Sequence, residues 1–269
     1  MKKFMKSIIA ATMVVAMAFT VGCSSKPAEE QPKEDATSGA TNAAEATENG
    51  GTLIMATNAE FPPYEFYGES GDVVGIDAEI AAAIAEKLGM ELEISDMAFD
   101  SIIPAVVSGK ADFAAAGMTV TEERKANVDF SNTYVKASQA IIVKADNTEI
   151  KDADSLVGKS IGVQLGTTGD LYASDVTESV QRYNKGFEAV QALAQDKIDA
   201  VLIDDQVAKA LAADNADVKV LDTPFTVEEY AIAVKKGNTE LVEKINTALA
   251  ELEESGKLQE IVDKYISAE

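Results

Sequence analysis

Thr119, Thr121 and Arg124 sit close together in the stretch Ala114-Ala-Ala-Gly117-Met-Thr119-Val-Thr121-Glu-Glu-Arg124-Lys125, and this grouping suits the capture of an anion. The small apolar residues before Gly117 fit a buried strand where backbones pack closely. Thr121 is a predicted N-cap for a helix beginning at Glu122. A strand that ends in a glycine and a threonine before a helix gathers backbone N–H groups and a hydroxyl around one point. Arg124 adds a planar fork matched to a carboxylate. An arginine in a helix's first turn opposes the macrodipole, so its presence there asks for a task. Further along, Leu165-Gly166-Thr167-Thr168-Gly169-Asp170 repeats the Gly/Thr theme ahead of another predicted helix. Asp204 follows the apolar run Ala200 to Ile203 and offers the complementary negative charge.

These residues gain meaning from the elements that carry them. Apolar runs at Thr52 to Thr57, Phe113 to Met118, Ser160 to Gln164 and Ala200 to Ile203, and the alternating stretch Glu91 to Met97, predict strands. They alternate with predicted helices from Ala78 to Leu88, capped by Asp77, from Ile102 to Ser108, from Phe187 to Ala194 and from Val207 to Ala213. Two more helices, Glu240 to Ser255 and Lys257 to Tyr265, close the chain. The pattern predicts an α/β fold with mostly parallel sheets covered on both faces. Ser108-Gly-Lys110-Ala-Asp112-Phe113 is echoed by Gln195-Asp-Lys197-Ile-Asp199-Ala200, which suggests two halves of similar build.

Ligands of open α/β sheets bind beyond the carboxyl ends of the strands. Asn58, Phe61, Phe99, Thr119, Arg124, Gly166 to Thr168 and Asp204 are predicted to lie there. The set complements a zwitterion: carboxylate on Arg124, ammonium on Asp204, side chain between Phe61 and Phe99.

The 269 residues carry a formal charge of -23, which excludes nucleic acid and anionic membrane surfaces as electrostatic partners. The chain has no His, the commonest general base and transition-metal ligand, and no spaced carboxylate set of the EF-hand kind. No cofactor and no metal are called for. Lys2, Lys3 and Lys6 precede an apolar run from Ile8 to Phe19, the pattern of an export signal, too short for a membrane span. It ends in small residues before Cys23, the single cysteine, which resembles a bacterial lipoprotein box with Thr20 where Leu is usual. Residues 1–22 are thus expected to be a lipoprotein signal peptide, with Cys23 the lipidation site. Residues 23–50, poor in large aliphatics, are expected to form a disordered acidic tether.

From Ala56-Thr-Asn-Ala-Glu-Phe61-Pro-Pro-Tyr-Glu-Phe66 through Gly75-Ile-Asp77, Phe99-Asp-Ser-Ile-Ile-Pro104, the Gly117-Met-Thr119 to Arg124 motif, Asp129-Phe-Ser131 and Gly166-Thr167-Thr168, residues 51–267 resemble the family-3 extracellular solute-binding proteins, polar amino-acid receptors of bacterial ABC importers. The resemblance implies a two-lobed periplasmic-binding-protein type II clamshell, with lobe one from 51–137 and 231–269 and lobe two from 138–230. It implies crossings near Val135 to Gln139 and Glu229 to Ile232. It assigns the ligand α-carboxylate to Arg124 with Thr119 and Thr168, partly through backbone N–H, and the α-ammonium to Gly117 and Asp204. Phe61 and Phe99 would sandwich the side chain. Asn58 stands where several relatives have an Asp that reads that side chain, and Ile203 where glutamine-specific relatives have His. The implied protein is a monomeric, lipid-anchored, extracytoplasmic receptor that delivers an amino acid to permease subunits. An enzyme on the same fold, such as a dehydratase of a small carboxylic acid, is the alternative. Glu60 and Glu65 are the acids it would use.

Overall fold

The chain was described from a computed structural model covering residues 50–213 and 215–266; the predicted signal segment, Cys23 and the tether to residue 49 lie outside the described residues. The order begins β1 (Thr52–Thr57), β2 (Glu60–Phe61), β3 (Glu65–Tyr67), β4 (Val73–Val74), α1 (Ile76–Lys87), β5 (Glu91–Asp96), α2 (Ile102–Ser108), β6 (Phe113–Ala114) and α3 (Glu122–Lys125). It continues with β7 (Val128–Lys144), β8 (Ile161–Gln164), α4 (Thr168–Val176), β9 (Val180–Tyr183), α5 (Gly186–Ala194), β10 (Ala200–Asp204), α6 (Asp205–Ala213), β11 (Val218–Val220), β12 (Thr226–Lys235), α7 (Thr239–Glu254) and α8 (Lys257–Tyr265).

Two parallel groups form the halves: β1 lies between β5 and β6, and β8 lies between β9 and β10. The long strands β7 and β12 join them into one sheet of order β5-β1-β6-β12-β7-β10-β8-β9, with β11 added along β7. These two run antiparallel to each other and to their neighbours β10 and β6. The expectation of mostly parallel sheets therefore holds within each half and fails at the junction. A chain that leaves one half along β7 must return along β12 in the opposite direction. The β12 register slips between Tyr230 and Ala233, within the expected second crossing.

Strand alternation divides the apolar residues between layers on the two faces. On β10, Val201 and Ile203 join the large core beneath α5 and α6, while Ala200 and Leu202 join a second core with Ile161 and Val163. On β1, Leu53 and Met55 face the large core and Ala56 faces Ile102 and Val106 of α2. Each fully buried aliphatic of this kind stabilises the fold by roughly 1.5–3 kcal/mol before entropy is counted.

The sequence echo is structural. Helix α2 ends at Gly109 and helix α5 is followed by Asp196, both left-handed, with φ of 75° and 57°. The next amides then turn back, Lys110 N–H to Ala105 and Lys197 N–H to Ala192, each at 3.0 Å. Asp112 and Asp199 come next, and each carboxylate accepts an N–H near the start of a neighbouring strand: Ile54 in β1 at 2.8 Å and Ser160 just before β8 at 2.7 Å. Asp196 tolerates a backbone that suits glycine, so one motif serves both halves.

Two local expectations change. Asp77 does not cap α1: the helix begins after Gly75, and its first N–H groups are taken by the carbonyls of Pro63 and Tyr64. Asp77 lies inside the helix, fully buried, and accepts from Gly117 N–H and the Tyr134 hydroxyl. The strand expected over Phe113 to Met118 shortens to Phe113–Ala114, because Gly117 turns to φ 51°. A β-carbon there would approach the Phe61 ring to 2.9 Å, so the turn requires glycine.

Candidate functional site

A narrow cleft lies where the two halves face each other, lined by Phe61, Phe99, Gly117, Thr119, Arg124, Gln139, Thr167, Thr168, Ile203, Asp204 and Tyr230. Of the residues nominated from sequence, Phe61, Phe99, Gly117, Thr119, Arg124, Thr167, Thr168 and Asp204 line it, while Asn58 and Gly166 do not.

Arg124 is placed by its helix. The Thr121 hydroxyl accepts Arg124 N–H at 3.1 Å, which starts α3 and turns the guanidinium inward. The side chain is 7% exposed and lies over the Phe99 ring at 5.3 Å. It donates to the Thr119 carbonyl at 2.8 Å and, from the other half, to the Gly166 carbonyl at 3.2 Å. Burial lowers its pKa, opposed chiefly by the charge of Glu228. Phe99 is therefore a plate for Arg124 as well as a wall of the cleft.

The Gly166 loop is held from behind. Asp170 accepts Gly166 N–H at 3.1 Å and pairs with Arg182 Nε at 2.9 Å. The Thr167 hydroxyl caps α4 by accepting from Asp170 N–H, and Thr168, the first residue of that helix, is buried.

Asp204 is 1% exposed at the end of β10. One carboxylate oxygen caps α6 through Gln206 N–H at 3.0 Å and Val207 N–H at 3.3 Å; the other accepts from the Tyr230 hydroxyl. Burial pushes its pKa up to about 7, reinforced by Asp205 and opposed by these hydrogen bonds. The raised value makes the folded, unliganded protein bind this proton more tightly than the unfolded chain does. Its stabilising contribution is present in acid and is lost as pH rises from about 4 to 7. A cationic group beside Asp204 has the opposite linkage, because it needs the ionised form. Affinity for an ammonium ligand is therefore expected to fall, approaching tenfold per pH unit, as pH drops below about 7. Calorimetry across pH in buffers of different ionisation enthalpy checks this, since binding should release protons in that range.

Asn58 is 5% exposed and fully occupied: its amide nitrogen donates to the Met97 carbonyl at 2.8 Å and its oxygen accepts from Gln164 Nε2 at 2.8 Å. The pair ties β1 to β8 across the outer end of the cleft. Beside it Glu60 is ion-paired with Lys185. Glu65 is wholly buried, and this burial, reinforced by the neighbouring Asp77, pushes its pKa well up; it is absent from the cleft wall.

Sequence reasoning missed Gln139, Tyr230 and Glu228. Glu228 is 5% exposed on β12 and accepts from Thr119 Oγ1 at 3.0 Å, Gln139 Nε2 at 3.1 Å and Thr168 Oγ1 at 3.1 Å. Each threonine has one hydroxyl hydrogen, and both are given to Glu228. Towards a ligand anion these residues have only their backbone N–H groups to donate. A polar side chain within a strand otherwise rich in buried residues is the signal that marks Gln139 and Glu228.

Residues 53–268 match the model of the bacterial extracellular solute-binding proteins, family 3. The chain belongs to this family. It is 37% identical to the arginine-binding extracellular protein ArtP of Bacillus subtilis, over 81% of this chain and 87% of that protein. An ancestral arginine-binding protein solved with arginine superposes with a TM-score of 0.77 at 46% identity, covering 80% of this chain and 98% of that one. A mutant of the T. maritima protein ArgBP superposes with a TM-score of 0.77 at 42% identity, covering 81% of this chain and 96% of that one. These matches carry the two-lobed type II periplasmic-binding fold. Among the described residues no helix of the family member is long and apolar enough to cross a membrane.

Proposed function

We propose that this protein is the substrate-binding component of an amino-acid ABC importer, capturing its ligand by closure of two lobes and presenting the closed form to permease subunits. The observation that carries this reading is the pairing, in one closed cleft, of the buried Arg124 fork with the buried Asp204 carboxylate. They answer the two charges of an amino-acid head group, Arg124 the carboxylate and Asp204 the ammonium, while Phe61 and Phe99 flank the side chain. Backbone groups of Gly117, Thr119 and Thr168 complete the head-group site, and Asn58 closes its outer end. Lobe one is assigned to 51–137 and 231–269 and lobe two to 138–230, with β7 and β12 as the crossings. Hinge closure around a bound ligand is a known behaviour of periplasmic binding proteins.

The relatives named for arginine support an amino acid with a long polar side chain as ligand. Binding without turnover is favoured over dehydratase chemistry: Glu60 is neutralised by Lys185, and Glu65 lies behind the cleft wall. Mass spectrometry of the small molecules released by denaturing protein purified without added amino acids tests the assignment. A single amino acid in near-stoichiometric amount is expected; a released non-amino acid, or conversion of the added ligand, would contradict it.

The receptor is proposed to act as a monomer held to the outer face of the plasma membrane by diacylglycerol on Cys23. Each buried lipid CH₂ contributes about 0.8 kcal/mol to such anchoring. Cys23→Ala is expected to move the protein from the membrane to the soluble fraction, and a variant that stays membrane-bound would exclude lipidation at this residue.

A further inference from the structure

Glu228, held just behind the cleft lining by Thr119, Gln139 and Thr168, places there a negative charge that the amino-acid head group does not need. Around the cleft the buried cation Arg124 is outnumbered by buried carboxylates: Asp204, Glu228 and, behind Gly117, Asp77. Glu228 receives hydrogen bonds from the neutral donors of Thr119, Gln139 and Thr168, so these bonds solvate its charge without cancelling it. An α-amino acid adds a carboxylate beside Arg124 and an ammonium beside Asp204. With a neutral side chain the closed site then keeps its excess of negative charge, and a cationic side chain reduces it. The outer end of the cleft does not alter this count. Asn58 is neutral and bound to Met97 and Gln164, and the Glu60–Lys185 ion pair cancels itself.

We infer that Glu228 is a selectivity-determining residue that makes this cleft prefer an amino acid with a positively charged side chain over a neutral one of the same shape. The inference rests on the amino-acid-receptor reading and adds the charge class of the ligand. Glu228 works through the field inside a closed, poorly hydrated site. Unit charges separated by the length of an amino acid still interact there strongly enough to change affinity about tenfold. Its three hydrogen bonds join Thr119 of one half to Thr168 of the other, so the carboxylate stays in place when the cleft is shut.

Calorimetric titration of the wild-type protein and Glu228→Gln with arginine and with citrulline tests this, since citrulline replaces the guanidinium by a neutral urea of similar shape. Wild type is expected to bind arginine about tenfold or more tightly than citrulline. Glu228→Gln retains an acceptor for the two threonines, and the arginine-to-citrulline ratio is expected to shrink about tenfold, chiefly through weaker arginine binding. A wild-type protein that binds the two equally would overturn the inference whatever the variant does. A folded variant that keeps the full wild-type ratio would also overturn it. Binding of neither by the wild type would instead remove the amino-acid reading, and this inference with it.

Discussion

Arg124→Ala is expected to weaken amino-acid binding by roughly 30-fold to several-thousand-fold, the equivalent of about 2–5 kcal/mol. A carboxylate entering the closed cleft gives up its hydration and needs fixed donors in exchange. Two of the Arg124 N–H groups already hold the Thr119 and Gly166 carbonyls, which fixes the guanidinium plane before any ligand arrives. Thr119 and Thr168 cannot replace it with their hydroxyls, because both hydrogens are committed to Glu228. The same geometry predicts that Arg124→Lys also fails. One ammonium keeps the charge but cannot reach two carbonyls from opposite halves and a carboxylate in one plane. The unliganded fold is expected to survive both changes, since Arg124 lies in the cleft wall and outside the apolar cores. Calorimetry alongside circular dichroism separates lost binding from lost folding.

Asp204→Asn is the second large effect, on the order of 2–5 kcal/mol of affinity, because it leaves a buried ammonium without its counter-ion. The substitution isolates charge from architecture. Asparagine keeps the oxygen that caps α6 through Gln206 and Val207, and it is as good an N-cap as aspartate. The melting temperature of the unliganded variant should therefore stay the same or rise, since burial of the Asp204 carboxylate disfavours its ionised form. The variant should also lose the dependence of affinity on pH near 7. Unchanged affinity in Asp204→Asn would assign this carboxylate to helix capping alone.

Much of the site was legible in the sequence because its residues break local rules. Arg124 stands out in what the sequence reads as a helix's first turn, although α3 ends at Lys125 and Arg124 lies in its last turn as well; Thr121 and Thr167 are caps, and Gly117 precedes them at a turn that only glycine fits. Such departures mark positions where tertiary function overrides local preference. Both copies of the Lys-x-Asp echo were visible too, and both carboxylates tie down a strand. What stayed hidden depends on long-range register. Glu228 meets Thr119 and Thr168 only because β12 pairs with β7 in the register that sets Glu228 opposite Ala137. No periodicity within either segment reports that pairing. The role of Asp77 was hidden for a similar reason: at a helix start it has the form of a cap, and only the fold reveals Gly117 and Tyr134 beside it. The three short strands β2, β3 and β4 offer too few residues for alternation to show.

The central claim is that this cleft binds an amino acid by its head group, with Arg124 taking the carboxylate. It is tested most directly by titrating the wild-type protein with arginine and with agmatine, which lacks only that carboxylate. Agmatine is expected to bind at least about 30-fold more weakly than arginine, and the Arg124→Ala variant should no longer distinguish the two. Equal affinity of wild type for arginine and agmatine would contradict the account.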